Sequence, residues 1–563
     1  MIMKLKITPS IRVALTLLVF GLTMGACKES FLDEKPLDRF SPENLLTTKA
    51  GFETILVALH KSARDERTLD RPDQMGTGTD VATSGVADGR FMKDYKLVLP
   101  TDQIVVHYWD WAYANMLKNA NLIITRAENP EVRWTEKEKN EVLAEAKFFR
   151  AFTYNVLVNL FGGVPIVDRE LTEPRFDFKR ATRLEVLEFA KNDLEFAAEH
   201  LPNVVTNPTK DGRIFKAAAL HLLTEVYISL GRETKDASYY DKAIAAATKV
   251  LDGTAGQYQL MTKRFGNTNR PGDVFSDLFW TNQQNRSSGN LETIWAVQYE
   301  FLTVGGAEGQ NHDLRWWGPQ FENIRSPDNK RILVSDSIGR SQGGNRPTNY
   351  FFYDIWKDNF KNDMRNSHYN IRRDWYYNDK TSPYFGKKAR YTVVNGKAFI
   401  AQENGTATNI AVDTLRWFYP MIRKIEGELP APLSGRTNND QIRMRLAETY
   451  LLRAEAYIHK GDRQNAATDI NVVRSRANAK PVAAADVTLD YLLDERAREL
   501  TVEEARRRTL VRLGLLYERA TKYNWDAKAT MQPYHELWPI PQKAIDANRE
   551  VVLAQNPGYP GAK

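Results

Sequence analysis

The chain has 563 residues, 26% of them charged, and a formal net charge of +7 at pH 7. That near balance, without a long Lys/Arg run, argues against a nucleic-acid partner. The single cysteine, Cys27, excludes an internal disulfide and a Cys-rich metal site. The length allows a large core. No Pro/Ser/Gly linker stands out, so one large unit built from several subregions is expected.

Residues 1–12 carry Lys4, Lys6 and Arg12 and no acid, "VALTLLVFGLTM" follows, and Gly25 and Ala26 directly precede Cys27. These are the basic, apolar and small-residue parts of an export signal. The apolar run is shorter than the about 20 residues a membrane span needs. Ending at a cysteine, it resembles a bacterial lipoprotein signal. The resemblance implies a signal peptide over residues 1–26, and a lipidated Cys27 with its tether over 27–45, anchored to outer-membrane lipid. Several acyl chains hold a protein stably where one does so only marginally. Loss of residues 1–26 lowers the net charge to +4. The segment after Cys27 is polar, contains Pro36 and Pro42 and suits a tether. No later run is apolar and long enough to span a bilayer.

Further along, "GTGTDV" at Gly76 lacks the third glycine of a dinucleotide loop and reads as a turn. "WDWAYANMLKNANLIITRAEN" predicts one helix. "TEKEKNEVLAEAKFFRAFTYNVLVNLFGG" and "ATRLEVLEFAKNDLEFAAEHLP" predict a pair. "AAALHLLTEVYISLG" from Ala217 and "AETYLLRAEAYIHKG" from Ala447 share identities at 217/447, 222/452, 225/455, 227/457, 228/458 and 231/461. Each is followed by a second helical pattern, giving helix-turn-helix units of the tetratricopeptide type. In the second unit Leu446, Tyr450, Ala454, Tyr457 and Ile458 share a helical face, and Gly461 is the expected stop. His221 and His459, within these units, read as packing or surface residues. Between the units the composition changes: seven of the twelve tryptophans lie from Trp280 to Trp417. "LETIWAVQYE" and "ARYTVVNGKAFIA" read there as short strands between long loops, where function usually resides.

Four stretches in order resemble the SusD/RagB family of surface lipoproteins. They are "EAKFFRAFTYNVLVNLFGGVPIV" from Glu145, "RLAETYLLRAEAY" with "AATDINVVRSRA", "LDERARELTVEEARRRTLVRLG" from Leu493, and "LWPIPQKAIDANREVVLAQNPGY" ending at Tyr559. The resemblance implies a mainly α fold, with a tetratricopeptide-like helix-pair scaffold, long loops and a few short strands. It implies an N-terminal helical region over 46–260, a loop- and aromatic-rich ligand region over 261–440, and a C-terminal helical region over 441–563. It also implies capture of oligosaccharide at the cell surface and delivery to a SusC-like, TonB-dependent outer-membrane transporter. The chain departs from the family at Glu503-Glu504-Ala505-Arg506, where Glu-Gly-x-Arg is usual. It departs again at Asn548-Arg549, where Asn-Pro is common. Both positions read as scaffold, with Asp494–Arg498 and Glu504–Arg508 as i,i+4 pairs worth about tenths of a kcal/mol.

No His-Glu-x-x-His helix, Gly-x-Ser-x-Gly elbow or phosphate loop is present, so no enzyme is expected. A surface glycoside hydrolase is supported only by the abundance of acids. No cofactor is expected; a structural calcium could sit in the loops, although no EF-hand spacing is present. Sugar recognition needs aromatic faces for C–H surfaces and polar side chains for hydroxyls. The candidates are Asn311, Arg315, Trp316 and Trp317 in one loop, and Arg373, Trp375, Tyr376 and Tyr377 in a second. Asp80, Asp88 and Arg90 add an early loop that the resemblance implicates. An aromatic in such a loop more often packs into the core than meets a ligand. Trp316 and Trp317, if extended, would point opposite ways and divide the two roles. A peptide ligand held through arginines is the alternative.

Overall fold

A computed structural model describes residues 45–67, 76–86, 92–300, 302–306, 311–335, 338–429 and 435–562. Cys27 with its expected signal, and Asp88 and Arg90, lie outside the described residues. The fold is mainly α, as expected. The N-terminal helices are α1 (Lys49–Asp65), α2 (Gln103–Asp110), which runs through a π-helical turn into α3 (Lys118–Arg126), and α4 (Glu136–Phe161). Next come α5 (Arg183–His200), α6 (Lys216–Thr234) and α7 (Ser238–Leu251). The middle of the chain holds one short helix that matters below, α8 (Asp313–Trp317). The C-terminal part comprises α9 (Leu446–His459), α10 (Arg463–Arg476), α11 (Leu489–Leu500), α12 (Arg506–Arg512), α13 (Leu516–Tyr523) and α14 (Trp525–Thr530).

The strands are short: β1 (Ala82–Ser84), β2 (Thr293–Val297), β3 (Asn345–Pro347), β4 (Tyr391–Val394), β5 (Lys397–Ala401), β6 (Ala407–Ala411) and β7 (Gln441–Arg445). All of these pair antiparallel: β1 with β3, β2 with β7, and β4–β5–β6 as one three-stranded sheet. Asn395 and Gly396, both at positive φ, form the tight turn that joins β4 to β5.

Local chemistry sets the long helix α4. Thr135 and Glu138 form a reciprocal capping box at its start, and Gly162, with φ near 74°, ends it. Its second half is buried on every side, because α5 packs on one flank and α3 on another. The pairs α4–α5, α6–α7 and α9–α10 stack in succession, with α7 against α9, as the repeated segments predict. The face expected on α9 is displaced. Ala447, Leu451, Leu452 and Ala454 are buried, whereas Tyr450, Tyr457 and Ile458 are only half-buried. A helix layered between neighbours buries more than one stripe. Gly461 does follow the helix in a left-handed conformation. His221 is buried against the Thr449 hydroxyl at 2.8 Å, and His459 stacks on Tyr240.

One apolar core joins the N- and C-terminal helices. A second, built on Trp317, Phe321, Phe351, Trp356, Trp375 and Tyr419, lies under the middle region. Ion pairs tie the two together, and α11 is their hub. Glu495 is shared by Arg365 (2.8 Å), Arg474 (2.6 Å) and Arg498 (2.8 Å). Glu499 is shared by Arg365, Arg445 and Arg476. Arg496 bridges Glu448 (2.7 Å) and Glu504 (2.6 Å). The surface pairs expected at Asp494–Arg498 and Glu504–Arg508 are replaced by this network. Asp494 bonds Arg519, Arg498 bonds Glu495, Glu504 bonds Arg496 and Arg506, and Arg508 bonds Glu66. Burial makes partner choice strict, so these contacts are far from interchangeable surface pairs.

Burial works to raise the Glu495 carboxyl, but the guanidinium charges of Arg365, Arg498 and Arg474 outweigh it and hold it at about 2, down from 4.5. Glu448 is likewise held at about 2. With folded values below the ordinary one, this stabilisation is complete above the ordinary carboxyl range. It is lost as pH falls through it toward 2. The urea midpoint should therefore drop steadily below about pH 4.5. Glu495→Gln, which leaves three buried arginines short of a charge, should cost about 3–5 kcal/mol at neutral pH. A variant with an unchanged urea midpoint would contradict the role given to the network.

Candidate functional site

The hub at α11 extends to the turn before β1. Asp80 is fully buried, its carboxylate held by Arg506 at 2.6 Å and Arg519 at 2.8 Å. Burial opposes its ionisation, but the two guanidinium groups prevail and keep it charged down to about 2. The Asp80 carbonyl accepts from the Thr348 hydroxyl at 2.7 Å, and the Thr348 N–H donates to the Val81 carbonyl at 2.9 Å. Asn524 donates through Nδ2 to the carbonyls of Thr79 (2.8 Å) and Ala82 (3.0 Å), and its Oδ1 caps α14. Three distant segments thus meet at the β1–β3 ribbon.

Arg346 projects from that ribbon. It lies opposite Thr83, whose hydroxyl donates to the Asp526 carboxylate at the start of α14. Its guanidinium packs 5.1 Å from the Trp525 ring centre and 5.7 Å from that of Tyr419. It donates to the carbonyls of Thr414 and Pro347 and to Asn349 Oδ1. Burial lowers its pKa, and Tyr419, Tyr353 and Tyr391 are close enough to interact with its charge. Around this 7% exposed arginine, three rings open to solvent: Tyr353 (46% exposed), Tyr391 (42%) and Trp525 (38%). Tyr391 is braced edge-on by Phe418 at 5.1 Å. Tyr353 is backed by Arg373, whose guanidinium lies 5.3 Å from its ring centre.

Trp316 belongs to the same face. A Cβ at Gly344, the residue just before β3, would overlap its ring, so the indole packs at the start of the ribbon strand. The segment that carries Trp316 and Trp317 is a short helix, α8, not the extended stretch expected. The two indoles nonetheless differ in exposure: Trp317 is 1% exposed in the second core, while Trp316 is half-buried over Gly344. Arg315 is also half-buried.

The other expected contacts are distributed as follows. Asp80 offers a ligand no surface, because both its oxygens are enclosed by arginines. Asn311 is buried, with its amide donating to the Asn439 carbonyl at 2.8 Å. Trp375 is buried against Phe321 with near-parallel rings 4.9 Å apart, and Tyr377 is buried with it. Tyr376, between them, points outward at 52% exposure, as strand alternation requires. Arg373 stands behind Tyr353 and over Phe360. The exposed rings of Tyr353, Tyr391 and Trp525, and Arg346 beneath them, were not among the residues that the sequence singled out.

A separate groove of about 480 Å³ lies between α2, α3, residues 165–178 and the C-terminal tail. It is lined chiefly by apolar side chains such as Trp109, Leu122, Phe176 and Leu553. Lys118, Asn121, Arg169, Glu170, Arg175 and Asn548 also line it. Among the described residues no helix is long and apolar enough to cross a membrane. No group of three or more His, Cys, Asp and Glu side chains there could hold a metal ion.

Comparison with known proteins agrees with this architecture. The family model described as the SusD family matches residues 251–559, and one described as starch-binding, associating with the outer membrane, matches residues 30–228. A SusD-like protein of Formosa agariphila is 27% identical over 53% of this chain, and that match spans 55% of the relative's length. The starch-binding protein SusD of Bacteroides thetaiotaomicron is 25% identical over 80% of this chain and 78% of its own. The crystal structure of a SusD homologue from the same organism superposes with a TM-score of 0.70, at 19% identity, over 92% of this chain and 99% of that one. The chain belongs to the SusD/RagB family.

Proposed function

We propose that the protein binds oligosaccharide at the surface arc formed by Tyr353, Tyr391 and Trp525 around Arg346. The observation that carries this reading is three half-open aromatic rings, each braced from behind, converging on one polar centre. Sugar C–H faces pack on such rings, while Asn349, Arg416 and the ribbon supply hydrogen-bonding groups. The name of the starch-binding relative and the description of the family model support the same ligand class. Trp316 continues the arc on one side, and Tyr376, on the segment leading into β4, extends it for a longer glycan. The bound sugar is handed unchanged to a SusC-like, TonB-dependent transporter, and a lipid on Cys27 keeps the binder at the outer membrane beside it. No chemistry is assigned to the arc. A peptide ligand fits less well, because an extended chain needs a row of backbone partners where this site presents ring faces.

Each of Tyr353→Ala, Tyr391→Ala and Trp525→Ala should weaken oligosaccharide binding by about 0.5–1.5 kcal/mol, roughly two- to tenfold. Calorimetry on the chain starting at Lys28 reads this out; unaltered affinity in all three would exclude the arc. Cys27→Ala should move the protein from the membrane fraction of cells to the soluble one. Retention in the membrane would exclude the anchor.

A further inference from the structure

Charge is balanced with care elsewhere in this protein. Most of its buried arginines meet a carboxylate, as the α11 network shows. Three arginines at the arc do not. Arg346, more than nine-tenths buried, has three hydrogen-bond acceptors and none is charged. Arg373 donates to the Phe352 carbonyl and Asn366 Oδ1, while its Nε and Nη1 are enclosed without a partner among the described residues. Arg416, half-buried, donates through Nε to the Gln342 carbonyl at 3.0 Å. Arg67 and Arg507 also lack a carboxylate, but both are spent on carbonyls inside the C-terminal region. The half-buried Arg180, Arg232 and Arg286 are likewise spent on carbonyls and amide or hydroxyl groups, and Arg270 on the Trp280 ring.

These three cations are neighbours in the same surface region. Arg346 lies 5.7 Å from the Tyr419 ring centre and donates to the carbonyl of Thr414, two residues before Arg416, while Arg373 lies 5.3 Å from the ring centre of Tyr353. The nearby acids act on these cations without forming an ion pair, Asp413 on Arg346 and Asp374 on Arg373, and each makes contacts of its own. Asp413 accepts the backbone N–H groups of Leu415 and Arg416, Asp526 accepts from Thr83, Asp374 pairs with Lys388, and Asp354 pairs with Lys357. An uncompensated cation in a low-dielectric setting is costly unless a counter-charge arrives. Guanidinium groups favour planar or tetrahedral oxyanions, which they hold through paired N–H bonds.

Building on the oligosaccharide reading, we infer that the glycan taken at this arc is acidic, carrying carboxylate or sulfate groups that Arg416 receives directly and that Arg346 and Arg373 attract from below. Neutral rings pack on the aromatics while the acidic substituent turns toward the arginines. One uncharged and one charged feature of the ligand are thereby read at the same place.

The test uses the chain starting at Lys28 and four polymers: polygalacturonate, its methyl ester, a sulfated galactan and its desulfated form. Binding of either acidic polymer about tenfold tighter than its neutral counterpart supports the inference, and the arm that responds tells carboxylate from sulfate. That preference should shrink as salt rises from about 0.1 M, where the Debye length is about 10 Å, to about 1 M, where it is about 3 Å. Arg416→Gln should weaken binding of the acidic polymers far more than that of their neutral counterparts, while Arg416→Lys should keep part of the preference. The salt titration on the unaltered protein stands even if a variant folds poorly. Equal, salt-insensitive binding of acidic and neutral forms would overturn the acidic inference and leave the glycan site standing. Binding of no polymer in any arm would overturn both.

Discussion

Nearly everything in this structure depends on a set of charges that has no access to water. Helix α11 carries Glu495, Arg496, Arg498 and Glu499 into the interior, and four arginines from three other segments close around them. Such an arrangement is tolerable only when every charge is met, since removal of one partner strands the rest. That requirement fixes which segments are neighbours. Arg365 in the middle region and Arg445, Arg474 and Arg476 near the last helix pair must all reach the same two glutamates. Apolar contacts, being undirected, would allow some slippage there; a shared carboxylate allows little.

The surface arc inherits its geometry from this interior. Arg506 and Arg519 grip Asp80, and the backbone at Asp80 and Val81 in turn orders Thr348 and the β1–β3 ribbon. Asn524 fastens the start of α14 to the same turn. Tyr353, Trp525 and Arg346 therefore stand on elements that are locked from below, while Tyr391 stands at the start of a hairpin and leans on Phe418. Preorganised rings lose little conformational freedom when a ligand arrives. A platform made this way can bind without a closing loop.

The scaffold was legible because helix pairs leave a local signature. The capping residues, the Ala-rich contact faces and the terminal glycine at 461 are encoded within a few positions of where they act. The site was not legible in the same way. Arg346 and Trp525 are 179 positions apart, and nothing in the local pattern around either announces the other. Composition points to the tryptophan-rich middle, but Trp525 lies outside it, and residue type cannot separate Trp375, which is buried, from Trp525, which is open. Asp80 shows the same limit in reverse. An acid in a glycine-rich turn resembles a ligand contact, and only the two arginines more than 400 positions away reveal it as a structural anchor. Even the expected i,i+4 pairs, Asp494–Arg498 on α11 and Glu504–Arg508 at the start of α12, fail for this reason, because burial gave each partner a stronger alternative.

The most direct test is a crystal structure with an acidic oligosaccharide bound. The account requires sugar rings over Tyr353, Tyr391 and Trp525, with an acidic substituent within hydrogen-bonding distance of Arg416. A glycan seated instead in the apolar groove between Trp109 and Phe176, with the arc empty, would contradict it.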